Sequence, residues 1–172
     1  MVMHESLTDK RILIVDDEPD VLESLKELLD VCIVDCAPNF ETAKKFLKKN
    51  TYDAAILDIM GVDGFGLLEQ VKQKGIPALM LTAHGLSAEY LVKSIQEGAY
   101  SYIPKHEMIN ISSYLADIIN ADAKGGSIPK RWFKKLSPFF DKKFGSEWKE
   151  NHKAFIEDFD LRHTREELEK IL

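Results

Sequence analysis

At 172 residues, the chain has room for one full core and at most a small appendage, which excludes two large domains. Apolar residues make up 45% and charged residues 30%, the balance of a chain that folds rather than of a disordered or fibrous one. No apolar run approaches the roughly 18 residues needed to span a bilayer, and Met1 to Arg11 holds no secretory-type apolar stretch, so a cytoplasmic location is expected.

Short β-rich runs alternate with longer amphipathic stretches along the first part, the pattern of a parallel sheet flanked by helices. The expected strands are Ile12 to Val15, Cys32 to Cys36, Ala54 to Leu57, Ala78 to Leu81 and Tyr100 to Ile103. The first, third and fourth are nearly continuous apolar runs, which mark strands covered on both faces. Between and after them, Asp20 to Leu29, Phe40 to Lys49, Phe65 to Lys74, Ser87 to Glu97 and Met108 to Ala123 place apolar residues three and four apart and are expected to be helices. Asn39, Gly64 and Ser87 stand where N-caps belong. The fold class is therefore α/β, a doubly wound five-stranded parallel sheet with five helices, which binds ligands beyond the carboxyl ends of its strands.

Cys32 and Cys36, four residues apart on an extended strand, have Cα atoms about 13 Å apart, beyond disulfide reach. They read as buried small apolar groups. Neither they nor the five scattered histidines offer zinc-site spacing.

The ends of the expected strands carry the chemistry. Asp16, Asp17 and Glu18 follow the first strand, Asp58 the third, Thr82 the fourth and Lys105 the fifth, all on one edge of the sheet. Carboxylates converging there repel one another by about 4 kcal/mol per pair at ~4 Å and an effective dielectric of about 20, so a cation is needed. Oxygen-only ligands point to Mg²⁺. The Thr82 hydroxyl and Lys105 ammonium add donors for a phosphoryl group. Asp-Asp-Glu-Pro replaces any Gly-rich phosphate loop after the first strand, so a nucleotide is not expected and the phosphate becomes attached to a carboxylate nucleophile.

Ile-Leu-Ile-Val-Asp16-Asp17-Glu-Pro, Ala-Ala-Ile-Leu-Asp58-Ile-Met60, Leu-Met-Leu-Thr82-Ala83 and Tyr102-Ile-Pro-Lys105 resemble, in this order, the receiver domain of two-component response regulators. The resemblance covers about residues 9 to 124 and implies a flavodoxin-like fold. It implies further that Asp58 accepts a phosphoryl group from a phosphohistidine on a sensor histidine kinase. Mg²⁺ would be held by Asp17, Asp58 and the backbone carbonyl of Met60, with Asp16 assisting through water. Lys105 would pair with the phosphate. Thr82 would be a switch hydroxyl that moves to the phosphoryl oxygen, letting Tyr102 turn inward and remodel a partner-binding surface around the fourth helix, fifth strand and fifth helix. A receiver of this kind is a phosphoacceptor with self-catalysed phosphorylation and dephosphorylation, not an enzyme acting on other molecules.

Two positions depart from the family pattern. Asp58-Ile-Met-Gly-Val-Asp63-Gly64 is about two residues shorter than the usual loop, with Gly61 in place of the proline region. His106 stands where a proline, commonly joined by a cis bond, follows the lysine; because a non-proline cis bond costs about 3 kcal/mol, a trans bond is expected. His84 reads as a solvated loop residue near the site.

Cutting the chain after Lys124 exposes an asymmetry. Residues 1–124 carry 12 Lys and Arg against 20 Asp and Glu, residues 125–172 carry 11 against 9, and the latter also hold six of nine Phe and both Trp. The expected division is a receiver over 1–124 and a helical extension over 125–172. Three short helices are predicted there, with stripes through Trp132, Phe133, Leu136 and Phe140, through Trp148, His152, Phe155 and Phe159, and through Leu168, Ile171 and Leu172. Pro138 and Gly145 are expected to interrupt the first two, and Thr164 with Glu167 to cap the last. The extension resembles no known output domain. Six basic residues and one acid between Lys130 and Lys143, interleaved with aromatics, have the character of a nucleic-acid or anionic-membrane surface. The rest of the segment is acidic, however, and it is shorter than a winged helix, so neither partner is expected. The aromatics are instead expected to pack on the receiver or against a second copy, with the basic residues facing an acidic surface.

Two competing functions remain. A metal-dependent phosphohydrolase with an aspartyl intermediate uses similar strand-end acids but needs a second acid two residues after the nucleophile, where Met60 stands. A receiver-shaped interaction module that is never phosphorylated is the other. The kinase, the input signal, the downstream protein and the oligomeric state are not written in these residues.

Overall fold

The computed structural model describes residues 5–126 and 128–159. Five apolar runs form strands β1 (Arg11–Val15), β2 (Ile33–Ala37), β3 (Ala54–Leu57), β4 (Ala78–Thr82) and β5 (Ser101–Pro104), all parallel, in the order β2-β1-β3-β4-β5. Helices α1 (Pro19–Leu28), α2 (Phe40–Lys49), α3 (Gly64–Gln73), α4 (Ala88–Gln96) and α5 (Ile111–Ala123) alternate with them. Right-handed crossovers put α1 on one face, where it packs on α5, and α2 to α4 on the other. The apolar runs of β1, β3 and β4 are covered on both faces, as their composition predicts.

Local chemistry sets the helix starts. Asn39 Oδ1 accepts from Thr42 N at 2.9 Å and Ser87 Oγ accepts from Tyr90 N at 3.1 Å, the two caps expected there. The third cap is Asp63 rather than Gly64: it adopts a left-handed φ of 52° and accepts from Gly66 N at 3.2 Å. Gly64 instead serves close packing, since a Cβ there would land on the carbonyl oxygen of Asp58. The short loop thus enters α3 with its first helical residue pressed against the end of β3. At the other junction, Lys105–Asn110 forms a 3-10 helix, so α5 begins at Ile111 rather than Met108. No cis peptide bond occurs among the described residues, so His106 follows Lys105 in trans as expected.

Cys32 and Cys36 are free thiols, only half-buried rather than buried as expected, because β2 is an edge strand.

Beyond Gly125 and Gly126, both at positive φ, the chain forms α6 (Arg131–Phe144) and α7 (Trp148–Asn151), and residues 153–159 are again helical. Pro138 does not interrupt the first of these helices, in contrast to the expectation. It lies inside α6 on an exposed face, so the carbonyl that loses its amide partner belongs to the equally exposed Lys134. Gly145, at φ 94°, does end α6. The predicted third helix, with Leu168, Ile171, Leu172, Thr164 and Glu167, lies outside the described residues. Among the described residues no helix is long and apolar enough to cross a membrane.

The aromatics of α6 pack on β5, and those of α6 and α7 on one another, the first of the two placements expected from their spacing. Helix α6 lies against β5, so β5 is buried along its whole length although it is the last strand of the sheet. Gly64→Ala is expected to destabilise the protein by about 1–3 kcal/mol through overpacking against Asp58. A lower urea midpoint at an unchanged slope is the expected readout, and an unshifted midpoint contradicts this packing.

Candidate active site

The strand order brings the ends of β1 and β3 side by side, with Val15 paired to Leu57, so the next residues, Asp16 and Asp58, face the same space. The ladder continues into them, because Asp58 N donates to Val15 O at 3.0 Å and Asp16 N to Ala37 O at 3.1 Å. On β4, the next strand after β3, Thr82 pairs with Pro104 of β5, and Lys105 follows. The chain reverses direction across the sheet between β1 and β3, the crevice where open α/β sheets hold ligands.

Asp16 and Asp58 are each 2% exposed. Backbone amides fix one oxygen of each: Glu18 N donates to Asp16 Oδ1 and Ile59 N to Asp58 Oδ1, both at 2.8 Å. The other oxygens meet one cation. Lys105 Nζ lies 2.9 Å from Asp16 Oδ2 and 3.1 Å from Asp58 Oδ2, and it donates to Glu18 Oε1 at 2.8 Å. Carboxylate oxygens of Asp16, Asp17, Glu18 and Asp58 all fall within 4.8 Å of one another. An all-oxygen set this close fits a small hard cation such as Mg²⁺.

The electrostatics follow from this crowding. Burial, and then the neighbouring Asp58 charge, push the Asp16 carboxyl above its usual range against the opposing pull of Lys105. Burial would lower Lys105, but its hydrogen bonds to Glu18 and Asp16 and the charges of Asp16 and Asp58 override it and hold the ammonium well above the ordinary lysine range. The hydrogen bond from Lys105 draws Glu18 below its usual value.

Thr82 is buried, and its Oγ1 accepts from Gly85 N at 2.9 Å. Tyr102 is wholly buried; its hydroxyl donates to Gly85 O at 2.6 Å and accepts from Ser87 N at 3.0 Å. Met60 lies in the turn after β3 with its side chain exposed. Asp17 faces this turn so closely that a Cβ on Gly61 would strike its carboxylate, which accounts for glycine in the shortened loop. His84 is largely exposed, with Nε2 4.0 Å from Glu18 Oε1.

The structure thus gathers Asp16, Asp17, Asp58 and Lys105 into one cluster, with Thr82 at the end of the neighbouring strand. Glu18 was not foreseen as a partner of Lys105, although a third consecutive acid was its signal. The second unforeseen residue is Gly85, which bonds Thr82 through its N–H and Tyr102 through its carbonyl; nothing in a loop glycine announces that role.

Because the Asp16 carboxyl is raised, the folded chain holds its proton more tightly than the unfolded one. Its ionisation therefore lowers stability as pH climbs above 3.8 and through the folded value. Asp16→Asn is expected to raise the thermal midpoint at pH 7 without divalent cations, with the gain shrinking toward pH 4. A midpoint that falls at pH 7 contradicts this account.

The response regulator receiver domain family matches residues 12–114. The two-component response regulator ARR10 of Arabidopsis thaliana is 36% identical over 102 residues, 55% of this chain and 18% of that protein. The response regulator protein PilR of Pseudomonas aeruginosa is 30% identical over 105 residues, 58% of this chain and 23% of that one. The chain therefore spans less than a quarter of either relative. A crystal structure of a response regulator receiver domain protein (CheY-like) from Methanospirillum hungatei JF-1 superposes with a TM-score of 0.62 at 27% identity, over 69% of this chain and 100% of that one. With the fold, the acidic crevice and the ordered motifs agreeing, the chain belongs to the receiver-domain family of two-component response regulators.

Proposed function

We propose that residues 1–124 act as a phosphorelay receiver in which Asp58 is the phosphoacceptor, and that residues 125–172 form an extension that responds to it. One observation carries the reading: Lys105 Nζ bridges the free oxygens of Asp16 and Asp58, so a cation already stands where an acyl phosphate on Asp58 would place negative charge. With Oδ1 held by Ile59 N, Asp58 Oδ2 is the nucleophile. It forms a bond to phosphorus as the bond from phosphorus to the donor imidazole nitrogen breaks, and the electron pair leaves with the imidazole. Lys105 neutralises one phosphoryl oxygen, and the Thr82 hydroxyl donates to another.

The residues suited to Mg²⁺ are Asp17, Asp58 and the Met60 carbonyl, with Asp16 through water; bound there, the ion supplies charge neutralisation for the transferred group. A sensor histidine kinase is the proposed donor, and a downstream protein the proposed reader. The hydrolase reading is disfavoured by Met60, whose thioether cannot serve as general acid two residues after the nucleophile.

Incubating the full chain with Mg²⁺ and acetyl phosphate tests this. Intact mass is expected to rise by one phosphoryl group, only with Mg²⁺, and Asp58→Asn is expected to abolish the gain. Rapid release of phosphate from unactivated phosphate monoesters, which self-dephosphorylation of a receiver does not give, would support the hydrolase instead. The absence of both release and a gain in mass would support the inert interaction module.

A further inference from the structure

Two helices present exposed stripes of opposite charge. Helix α1 buries Val21 and Leu25, which turns Asp20, Glu23 and Glu27 outward, and Asp30 follows just past its end, equally exposed. Steps of three, four and three residues keep these acids on one side, with exposed Lys26 at the border. Helix α6 does the same with bases. It seats Trp132, Phe133, Leu136 and Phe140 inward and leaves Arg131, Lys134, Lys135, Pro138 and Lys142 exposed along the opposite side.

Part of the basic stripe is neutralised in place. Arg131 donates through Nε to Asp117 Oδ2 at 3.1 Å, and Lys135 Nζ lies 3.7 Å from Glu107 Oε2. Asp141, the one acid of α6, is engaged from α7 by Trp148 Nε1 at 2.8 Å and Lys149 Nζ at 3.5 Å, so it does not serve the stripe. Lys134 and Lys142, like Asp20, Glu23, Glu27 and Asp30, form no ion pair among the described residues. The stretches from Asp20 to Asp30 and from Arg131 to Lys142 also cover about the same length, roughly 15 Å at a helical rise of about 1.5 Å per residue.

We infer that the chain associates with a second copy of itself, the acidic stripe of α1 in one copy docking on the basic stripe of α6 in the other. The charge distribution favours an acidic protein surface over a polyanion. Residues 1–124 carry 12 Lys and Arg against 20 Asp and Glu, so the body behind α6 repels nucleic acid and anionic lipid. The aromatics that would stack on bases or enter a lipid surface are spent on β5 and on α7. A second copy supplies acids at the matching length and meets neither obstacle. Exposed ion pairs are individually weak and screened by salt, so the association is transient and strongest at low ionic strength. The contact uses none of the side chains that Lys105 holds together and stands apart from the phosphoacceptor reading.

The test follows translational diffusion and amide NMR shifts of the full chain as its concentration rises. Diffusion is expected to slow, with shifts centred on residues 20–30 and 131–142. The association constant is expected to fall at least about tenfold between about 20 and 300 mM salt. Two charge-reversed variants, Glu23→Lys with Glu27→Lys and Lys134→Glu with Lys142→Glu, are each expected to associate at least about tenfold more weakly alone. Mixed together they are expected to recover the association, because every α1–α6 contact between them is again complementary. All four side chains are exposed, and a variant that loses its native circular dichroism is replaced by its Gln counterpart, for which weakening alone is the expected result. Wild type that stays monomeric at low salt, variants that associate as wild type does, or a mixture that recovers nothing overturns the inference. So does binding of duplex DNA or anionic vesicles that Lys134→Glu with Lys142→Glu abolishes in a chain showing no self-association, which assigns the stripe to a polyanion.

Discussion

The Lys105 ammonium among the carboxylates of Asp16, Glu18 and Asp58 is the interaction on which the site depends. Two almost fully buried acids on adjacent strands would be a liability in any core, because desolvation and mutual repulsion act in the same direction. A single amine at the end of β5 offsets part of both. It reaches them because the parallel order β2-β1-β3-β4-β5 ends every strand on one edge and gives the crevice between β1 and β3 to the acids. Fold and chemistry are thus linked by charge: the same compensation that lets the acids be buried prepares the edge for an anion.

The second layer of organisation is apolar. A sheet has two edges, and here they are treated differently. The outer strand β2 leaves Ile33 exposed, whereas β5 is covered by α6 and buried throughout. Tyr102 stands where the two layers meet, its hydroxyl bonded to the turn after β4 and its ring against Phe140. Polar geometry at the crevice and aromatic packing on the extension therefore meet in one side chain. Helix α6 and strand β5 thus each cover an apolar face of the other.

Much of this was legible in the residues alone, for identifiable reasons. Short apolar runs and period-3.6 patterns place all five strands and the five helices that alternate with them, and strand-end acids announce the crevice because buried like charges need a partner. Boundaries slip where local chemistry outweighs periodicity: the spacing marks Gly64 as a cap, whereas backbone proximity to Asp58 explains the glycine there. Pro138 has the sequence character of a break, yet on an exposed face it removes one hydrogen bond while Trp132, Phe133, Leu136 and Phe140 still hold the helix. The stripe of aromatics in α6 was visible, but its seat on β5 was not. Packing partners far apart in sequence leave no periodic trace. Gly85 was silent for a related reason, since its part in the structure is played by its backbone.

The short loop after Asp58 turns tightly and still fixes one carboxylate oxygen. With about two residues fewer than usual, the chain must turn from β3 into α3 more sharply. Gly61 at φ 83° and Asp63 at φ 52° supply left-handed conformations, and Gly64 lets the first turn of α3 rest against the Asp58 carbonyl. Asp63 offsets part of its own strain by capping the helix it begins. The tightened path leaves Ile59 N directed at Asp58 Oδ1, so one oxygen remains fixed and the other faces Lys105. Residues that look like losses against the family pattern are therefore the ones that keep the Asp58 carboxylate aimed into the crevice.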